Sequence, residues 1–426
     1  VKLKRELGLF STTLYGIGVI IGAGIYALIG VGAGLAGNML WLAFLISAFI
    51  AIFSGLSYAE LSSMFPKEAA EYTYTRKAFK KELLSFIIGW VLTVGTVIGA
   101  STVALGFGGY FSSVFGLEQK AAAAALIAVM GFLNYLGIKE SARFNNFASV
   151  LEVLGLLAVV AVVFLFSSPV NNFDLLEMPV GGFGGIMAAV SVIFFAYIGF
   201  ENVANLAEEV RNSREIVPKA LILSLLISTV LYILVSVAAI REVGWEELSE
   251  SKAPLTLVVS RVAGDYSAIL SFIALFSTSN TVLIFLIVSS RILYGMSHSG
   301  SLPKAFSEIS SRGTPYISVL LTTVVAALVA YATDIKTVAQ LADLGVFIAY
   351  LFVNSSLIVL AGEKAGFRSP RVAGIPVLAC LGALTSLVMM VFFDWHIWLL
   401  EVFVIAAGAA IFLFHKSRMQ APRPAA

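Results

Sequence analysis

Apolar residues in this chain run in long blocks, and charges, prolines and glycine-rich breaks fall between the blocks instead of within them. A helix needs about 20 mainly apolar residues to cross a bilayer. Cutting at each interruption yields twelve such segments, near 10–36, 39–64, 83–115, 120–138, 144–167, 182–208, 218–240, 265–297, 315–333, 336–361, 372–393 and 396–414. The pattern predicts an all-α polytopic membrane protein with twelve transmembrane helices, the third and eighth long enough to tilt. The first segment lacks the short apolar core and small-residue cleavage site of a signal peptide and is expected to stay in the mature chain. Between segments seven and eight, the acidic stretch 242–264 predicts a short helix lying over the bundle. No loop is long enough to fold as a separate soluble domain, so the activity belongs to the helices themselves.

Composition agrees with this. Apolar residues make up 59% of the 426 and charged residues 12%, about half the share in soluble globular domains, and mean hydropathy is +0.97. A net charge of +2 leaves no basic surplus for a nucleic-acid surface. The single Cys380 and the scattered His298, His396 and His415 offer no metal-ligand spacing, so no metal or other cofactor is expected. With the N-terminus inside, 22 of the 27 Lys and Arg fall on inner loops and 5 on outer ones. Basic residues are retained on the cytoplasmic side, so both termini are expected there, in a multi-pass protein of the cell membrane.

Two segments carry chemistry. Eight glycines fall within 16–37, out of 36 in the chain. Glycines at this spacing allow close helix packing, but the triplet Gly22-Ala23-Gly24 at mid-membrane also allows the backbone to unwind. Amides freed at the start of a half-helix favour a carboxylate. The second candidate break lies in segment six, where Gly199, Glu201, Asn202 and Asn205 interrupt the apolar run from Ser191. Glu201 there either faces a functional cavity or caps unwound amides. Four complete spans separate the two breaks. Broken helices in corresponding positions of two five-helix halves point to an inverted repeat with a site at the repeat interface.

Four motifs in order resemble the amino acid–polyamine–organocation superfamily of transporters: Gly22-Ala-Gly-Ile-Tyr26; Ser57-Tyr-Ala-Glu60-Leu61 with Phe65-Pro-Lys67 running to Tyr72-Thr-Tyr74; Phe194 to Glu201 followed by Ala207-Glu208-Glu209 and Pro218; and Arg291-Ile-Leu-Tyr294 running to Leu302-Pro303. The stretch Gly137 to Asn146 is most similar to the cationic amino acid transporter branch and its prokaryotic relatives. The resemblance implies a LeuT-type 5+5 inverted repeat with discontinuous helices 1 and 6. Residues 1–167 would form the first repeat, 168–361 the second, and 362–426 two accessory helices and a cytoplasmic tail. It further implies that an amino acid carboxylate rests on the amides of Ala23 and Gly24. The ammonium would meet carbonyls near Ile20, Phe195 and Ile198, with Gly22 and Gly199 also in the substrate site and Phe195 as an aromatic lid.

This sequence departs from the family's pattern at Glu152 of segment five, where many proton-coupled relatives carry a lysine. A buried carboxyl there either carries a proton or binds Na⁺ together with Ser277, Thr278 and Ser279. A structural hydrogen bond to a neighbouring helix is the third reading. Glu201 is the next ion-coupling candidate. Glu60 and Glu208, near the cytoplasmic face, and Asp343, toward the outside, are gate candidates. For each of these a solvated or snorkelling carboxylate is the plainer alternative.

The expectation is secondary active amino acid transport by alternating access, coupled to H⁺, with Na⁺ coupling, uncoupled exchange or polyamine transport as alternatives. The partners are a small amino acid and the lipid bilayer. Neither nucleic acid nor ATP is a partner, since no phosphate-binding loop is present. A channel would show filter-like loops or rings of like charge, which are absent from the sequence. An embedded enzyme would need a nucleophile and a base on neighbouring spans, and the histidines lie in loops or at segment ends.

Overall fold

A computed structural model of the chain describes residues 7–66, 70–136, 138–167, 169, 174–205, 210–264 and 267–420. They form a helical bundle: α1 Leu9–Ala36, α2 Leu40–Met64, α3 Ala70–Phe79, α4 Glu82–Phe115, α5 Gln119–Leu136, α6 Ile138–Phe166, α7 Gly182–Ile193, α8 Asn202–Asn205, α9 Ser213–Val243, α10 Trp245–Glu250, α11 Pro254–Ala263, α12 Ser267–His298, α13 Tyr316–Ala332, α14 Ile335–Val359, α15 Val377–Met390 and α16 Trp395–Gln420. Two short strands, β1 Arg371–Val372 and β2 Ile375–Pro376, pair antiparallel before α15.

Among the described residues, ten stretches are long and apolar enough to cross a membrane, while α13 and α15 are apolar but shorter. Polar backbone cannot be left unpaired in lipid, and a helix satisfies it internally. The spans differ in surroundings. α1, α7 and α12 are largely enclosed, whereas α16 exposes Leu399, Val402 and Phe403 to the outside of the bundle.

Three features differ from the sequence expectation. The loop after α9 holds two short helices, α10 and α11, where one was expected, and α10 lies against α1 with Leu248 O over Gly30. The connection after α2 contains the helix α3, whose inner face buries Ala70, Glu71, Tyr74 and Thr75. Its mean apolarity is too low for a span, which is why hydropathy missed it. The third difference concerns α1 itself. The expected discontinuity at Gly22-Ala23-Gly24 is not present, and α1 runs as one helix from Leu9 to Ala36.

The reason lies in what fills the glycine gaps. A Cβ at Gly16 would collide with Ser224 of α9, at Gly18 with Ser149 of α6, at Gly22 with Thr281 of α12, and at Gly24 with the backbone of Ala196. Missing side chains let neighbouring backbones close in, the packing use of glycine in membrane helices. Ala23 and Ala27 belong to α1, but their side chains are outside the described residues.

Segment six does break. α7 ends at Ile193, a 3₁₀ turn spans Phe194–Tyr197, Ile198 is extended, and Gly199 takes φ +120°, before α8 resumes at Asn202. Only glycine adopts that backbone without strain. A side chain at Gly199 would also strike Val19 of α1. The bend therefore presses on α1 from both of its ends, at Val19 and at Gly24.

This contact sets a stability test. Adding one methyl group at Gly24 forces the bend away from α1, a change expected to cost about 1–3 kcal/mol. Gly24→Ala should lower the thermal unfolding midpoint of the detergent-purified protein. Gly184→Ala, where a Cβ meets nothing within 4 Å, should not.

Candidate functional site

The bend is held by hydrogen bonds to three other helices, two through their side chains and one through a backbone carbonyl. Glu201 Oε2 accepts from the freed amide of Gly199 at 3.0 Å and from Tyr350 Oη of α14 at 3.0 Å. Glu201 thus caps unwound backbone, the structural alternative weighed for it. Tyr197 Oη donates to Phe44 O of α2 at 3.0 Å. Tyr232 of α9 places its hydroxyl 2.7 Å from Ile20 O and 2.8 Å from Ala196 O. One phenol therefore spans a carbonyl of α1 and a carbonyl of the bend. Ile20 O is one of the carbonyls where the resemblance places the substrate ammonium, and the two carbonyls compete for the single hydrogen of that hydroxyl.

Above Gly24, Phe195 stands edge-on to Phe285 of α12, ring centroids 6.1 Å apart, and both rings face Gly99 of α4. Ile198 donates its amide to Phe195 O at 3.1 Å, closing the turn. The face of α14 opposite the bend is a ladder. Gln340 Nε2 reaches Ser191 Oγ at 3.5 Å, Phe347 lies 4.4 Å from Phe194 by ring centroid, and Tyr350 bonds Glu201. Asp343 occupies the rung level with Phe195 and faces its backbone. It is fully buried, and neither carboxyl oxygen has a hydrogen-bond partner. The snorkelling alternative is therefore wrong for Asp343, because α2, α4 and the bend enclose that face of α14.

Glu152 of α6 lies on the other side of α1. It too is fully buried, with both carboxyl oxygens unpartnered. Its Oε1 stands where a Cβ on Gly22 would point, beside Thr281 Oγ1. Ser277 Oγ donates to Gly22 O at 3.2 Å, so α12 and α6 meet α1 at one level. Thr278 and Ser279 donate to carbonyls of their own helix, Ala274 O and Leu275 O, both at 2.6 Å.

Glu60 is neither solvated nor at a free helix end. It is buried, ion-paired with Arg371, and accepts from Ser369 N at 2.9 Å and Ser369 Oγ at 2.6 Å. α2 is thereby clamped to the turn before α15. Glu208 lies outside the described residues.

Among the described residues, six carboxylates are buried (Glu60, Glu71, Glu152, Glu201, Asp343 and Glu401) and no Lys, Arg or His is. Glu60 has Arg371 and Glu201 has two donors, but Glu152 and Asp343 have no partner; burying charge without partners is costly, so these two positions favour species that bring positive charge. Tyr232, Tyr350 and Thr281 were missed in the sequence, where each is a single polar residue inside an apolar span.

The amino acid permease profile matches residues 7–407. The chain belongs to the amino acid permease family. The branched-chain amino acid permease BcaP of Bacillus subtilis is 33% identical to it over 434 residues, covering 95% of this chain and 92% of that protein. The methylthioribose transporter of the same organism is 32% identical over 446 residues, covering 98% and 94%. Cationic amino acid transporter 4 of Mus musculus is 29% identical over 390 residues, covering 85% of this chain and 61% of that protein. The permease is a multi-pass membrane protein of a transporter family and not an enzyme.

Outside the membrane-spanning stretches, Glu71 on α3 has an unusual environment. It is buried beside Tyr58, and Glu201 adds negative charge nearby; burial chiefly pushes its carboxyl up to about 7. The folded protein therefore holds this proton more tightly than the unfolded chain does. The stabilisation is complete below about 4.5 and is lost as the pH rises through about 7. Glu71→Gln is neutral at every pH. Its thermal stability relative to the wild type should rise between pH 5 and pH 8. Parallel pH profiles for the two proteins would show that Glu71 is not buried in this way.

Proposed function

We propose that the permease is a proton-coupled secondary transporter of amino acids that works by alternating access, with α1 and the bend after α7 as its substrate site. The observation that carries this reading is the placement of an unpartnered, fully buried Glu152 against the glycine face of α1 at Gly22, in a core whose buried charges, among the described residues, are all acidic. A carboxyl group in such a place exists comfortably only when neutralised by a proton or a cation.

On this reading the twelve apolar segments all span the membrane, in two inverted five-helix halves with both termini cytoplasmic. Residues 1–167 and 168–361 are the repeats, and 362–426 the accessory part. Substrate carboxylate would seat on the amides of Gly22, Ala23 and Gly24. Because α1 is continuous and Gly24 is packed on Ala196, seating requires α1 both to unwind there, since its amides are engaged within the helix, and to part from the bend. The ammonium would then replace the Tyr232 hydroxyl at Ile20 O and Ala196 O, with Ile198 and Gly199 shaping the floor and Phe195 covering the substrate. Glu152 would load a proton while Ser277 holds Gly22 O. Thr278 and Ser279 donate their hydroxyl hydrogens to carbonyls of α12 and keep oxygen lone pairs for a cation, whereas Glu201 is occupied by Gly199 N and Tyr350 Oη. The Glu60–Arg371 clamp would open and close with the inner end.

A second substrate reading has one observation in its favour. Asp343, buried and unpartnered at the level of Phe195, suits a substrate with a cationic side chain or a polyamine.

Glu152→Gln mimics the protonated form permanently. A proton carrier must exchange between neutral and charged states, and that free-energy difference links the gradient to the cycle. The variant should bind and exchange amino acids in proteoliposomes yet fail to accumulate them under a pH gradient. Accumulation equal to wild type would make Glu152 structural. Wild-type uptake that follows a Na⁺ gradient and ignores pH would make it a sodium ligand.

A further inference from the structure

The ten-residue helix α3 is held to the bundle by one narrow face. Ala70, Glu71, Tyr74 and Thr75 are its buried residues, and it packs on α4 and α14. Arg76 and Lys77 are exposed, and Arg76 Nη1 donates to Tyr72 Oη of the same helix at 3.2 Å. At its end, Phe79 meets Phe352 of α14 edge-on, ring centroids 6.1 Å apart. A helix of this length is not stable alone in water, so its position depends on that face.

Glu71 is the one carboxyl on the face, and its surroundings are neutral or acidic. Tyr58 of α2 lies beside it, with Tyr74, Tyr350 of α14 and Glu201 of the bend further off. The other charged groups of the packing helices are engaged elsewhere. Glu60 of α2 pairs with Arg371, and Glu82, the one charged residue of α4, pairs with Lys416. Asp343 of α14 lies two helical turns from Tyr350, on the rung of Phe195. Among the described residues no Lys, Arg or His is buried against Glu71. An ionised Glu71 would therefore lack a cation and face the charge of Glu201, so the docked helix requires a neutral carboxyl. The rise of this carboxyl to about 7, chiefly through burial, agrees with that requirement.

The surface under α3 leads to the bend. Tyr58, Phe200 and Tyr350 form a cluster of three rings, with centroids 5.8, 5.4 and 5.7 Å apart, and Tyr74 of α3 stands edge-on to Tyr58 at 6.3 Å. Tyr350 is also the residue that donates to Glu201, the cap of Gly199. The docked α3 thus covers the rings that back the bend.

We propose that Glu71 is a proton-binding site that latches α3. With the proton bound, α3 is docked over the Tyr58–Phe200–Tyr350 cluster; loss of the proton to solvent releases α3 and uncovers that end of the bend. The latch depends neither on the transported substrate nor on Glu152.

Hydrogen exchange of the purified full chain in detergent, read by mass spectrometry, follows α3 directly, because local opening sets the protection of its amides. After correction for the intrinsic pH dependence of amide exchange, protection of residues 70–79 should fall about tenfold per pH unit from pH 5 to pH 7, the slope of one linked proton. The helix α13, which contains no carboxyl, should show no such fall. Glu71→Gln, always neutral, should keep α3 protected across the range, and Arg76→Gln on the exposed face should leave the wild-type slope unchanged. The wild-type profile decides the proposal by itself: constant protection of α3, or an equal fall in α13, would overturn the latch. A Glu71→Gln profile that falls like the wild type's would assign the proton to another group and overturn it as well.

Discussion

The close contact between α1 and the bend after α7 constrains everything around it. Gly24 has no side chain because the backbone of Ala196 occupies that space, and Gly199 has none because Val19 does. With the two backbones this near, a single phenol, Tyr232, reaches a carbonyl on each. The unwound amide of Gly199 must then be satisfied from the other side, which Glu201 does with Tyr350 behind it. Tyr232 and Tyr350 come from two other helices, so the bend rests on tertiary contacts as well as on its own Glu201.

The same packing explains where the charges sit. Glycines on α1 bring α6 and α12 close, and this places Glu152 against Gly22 with Ser277 and Thr281 beside it. On the far side of the bend, Asp343 takes a rung of the α14 ladder between Gln340 and Phe347. Two unpartnered carboxyls therefore flank the helix pair whose carbonyls also seek positive charge. An amino acid brings an ammonium group and a proton brings positive charge, and the proposed function has this core receive both.

Much of this was legible in the chain. Apolar block length marked the spans, since a helix in lipid has one main requirement, and it is written in composition. The break at Gly199 was legible because a glycine, a carboxylate and amides interrupt one apolar run. The run at Gly16–Gly24 was ambiguous. Whether a glycine stretch unwinds or packs depends on Ser149, Ala196, Ser224 and Thr281, residues more than a hundred positions away. Tyr232 and Tyr350 were invisible for the same reason, because one tyrosine in an apolar helix carries no signal until its partner is known. α3 was missed because its amphipathic face packs on the bundle without crossing the membrane.

The most direct measurement is proton flux in proteoliposomes of the unmodified protein, followed with a trapped pH-sensitive dye when an amino acid is added outside in the absence of Na⁺. A buried carboxyl that must be neutralised before α1 and the bend can cycle predicts lumenal acidification that requires substrate and saturates with it. Substrate entry with no proton movement, or entry that appears only when Na⁺ is supplied, would contradict it.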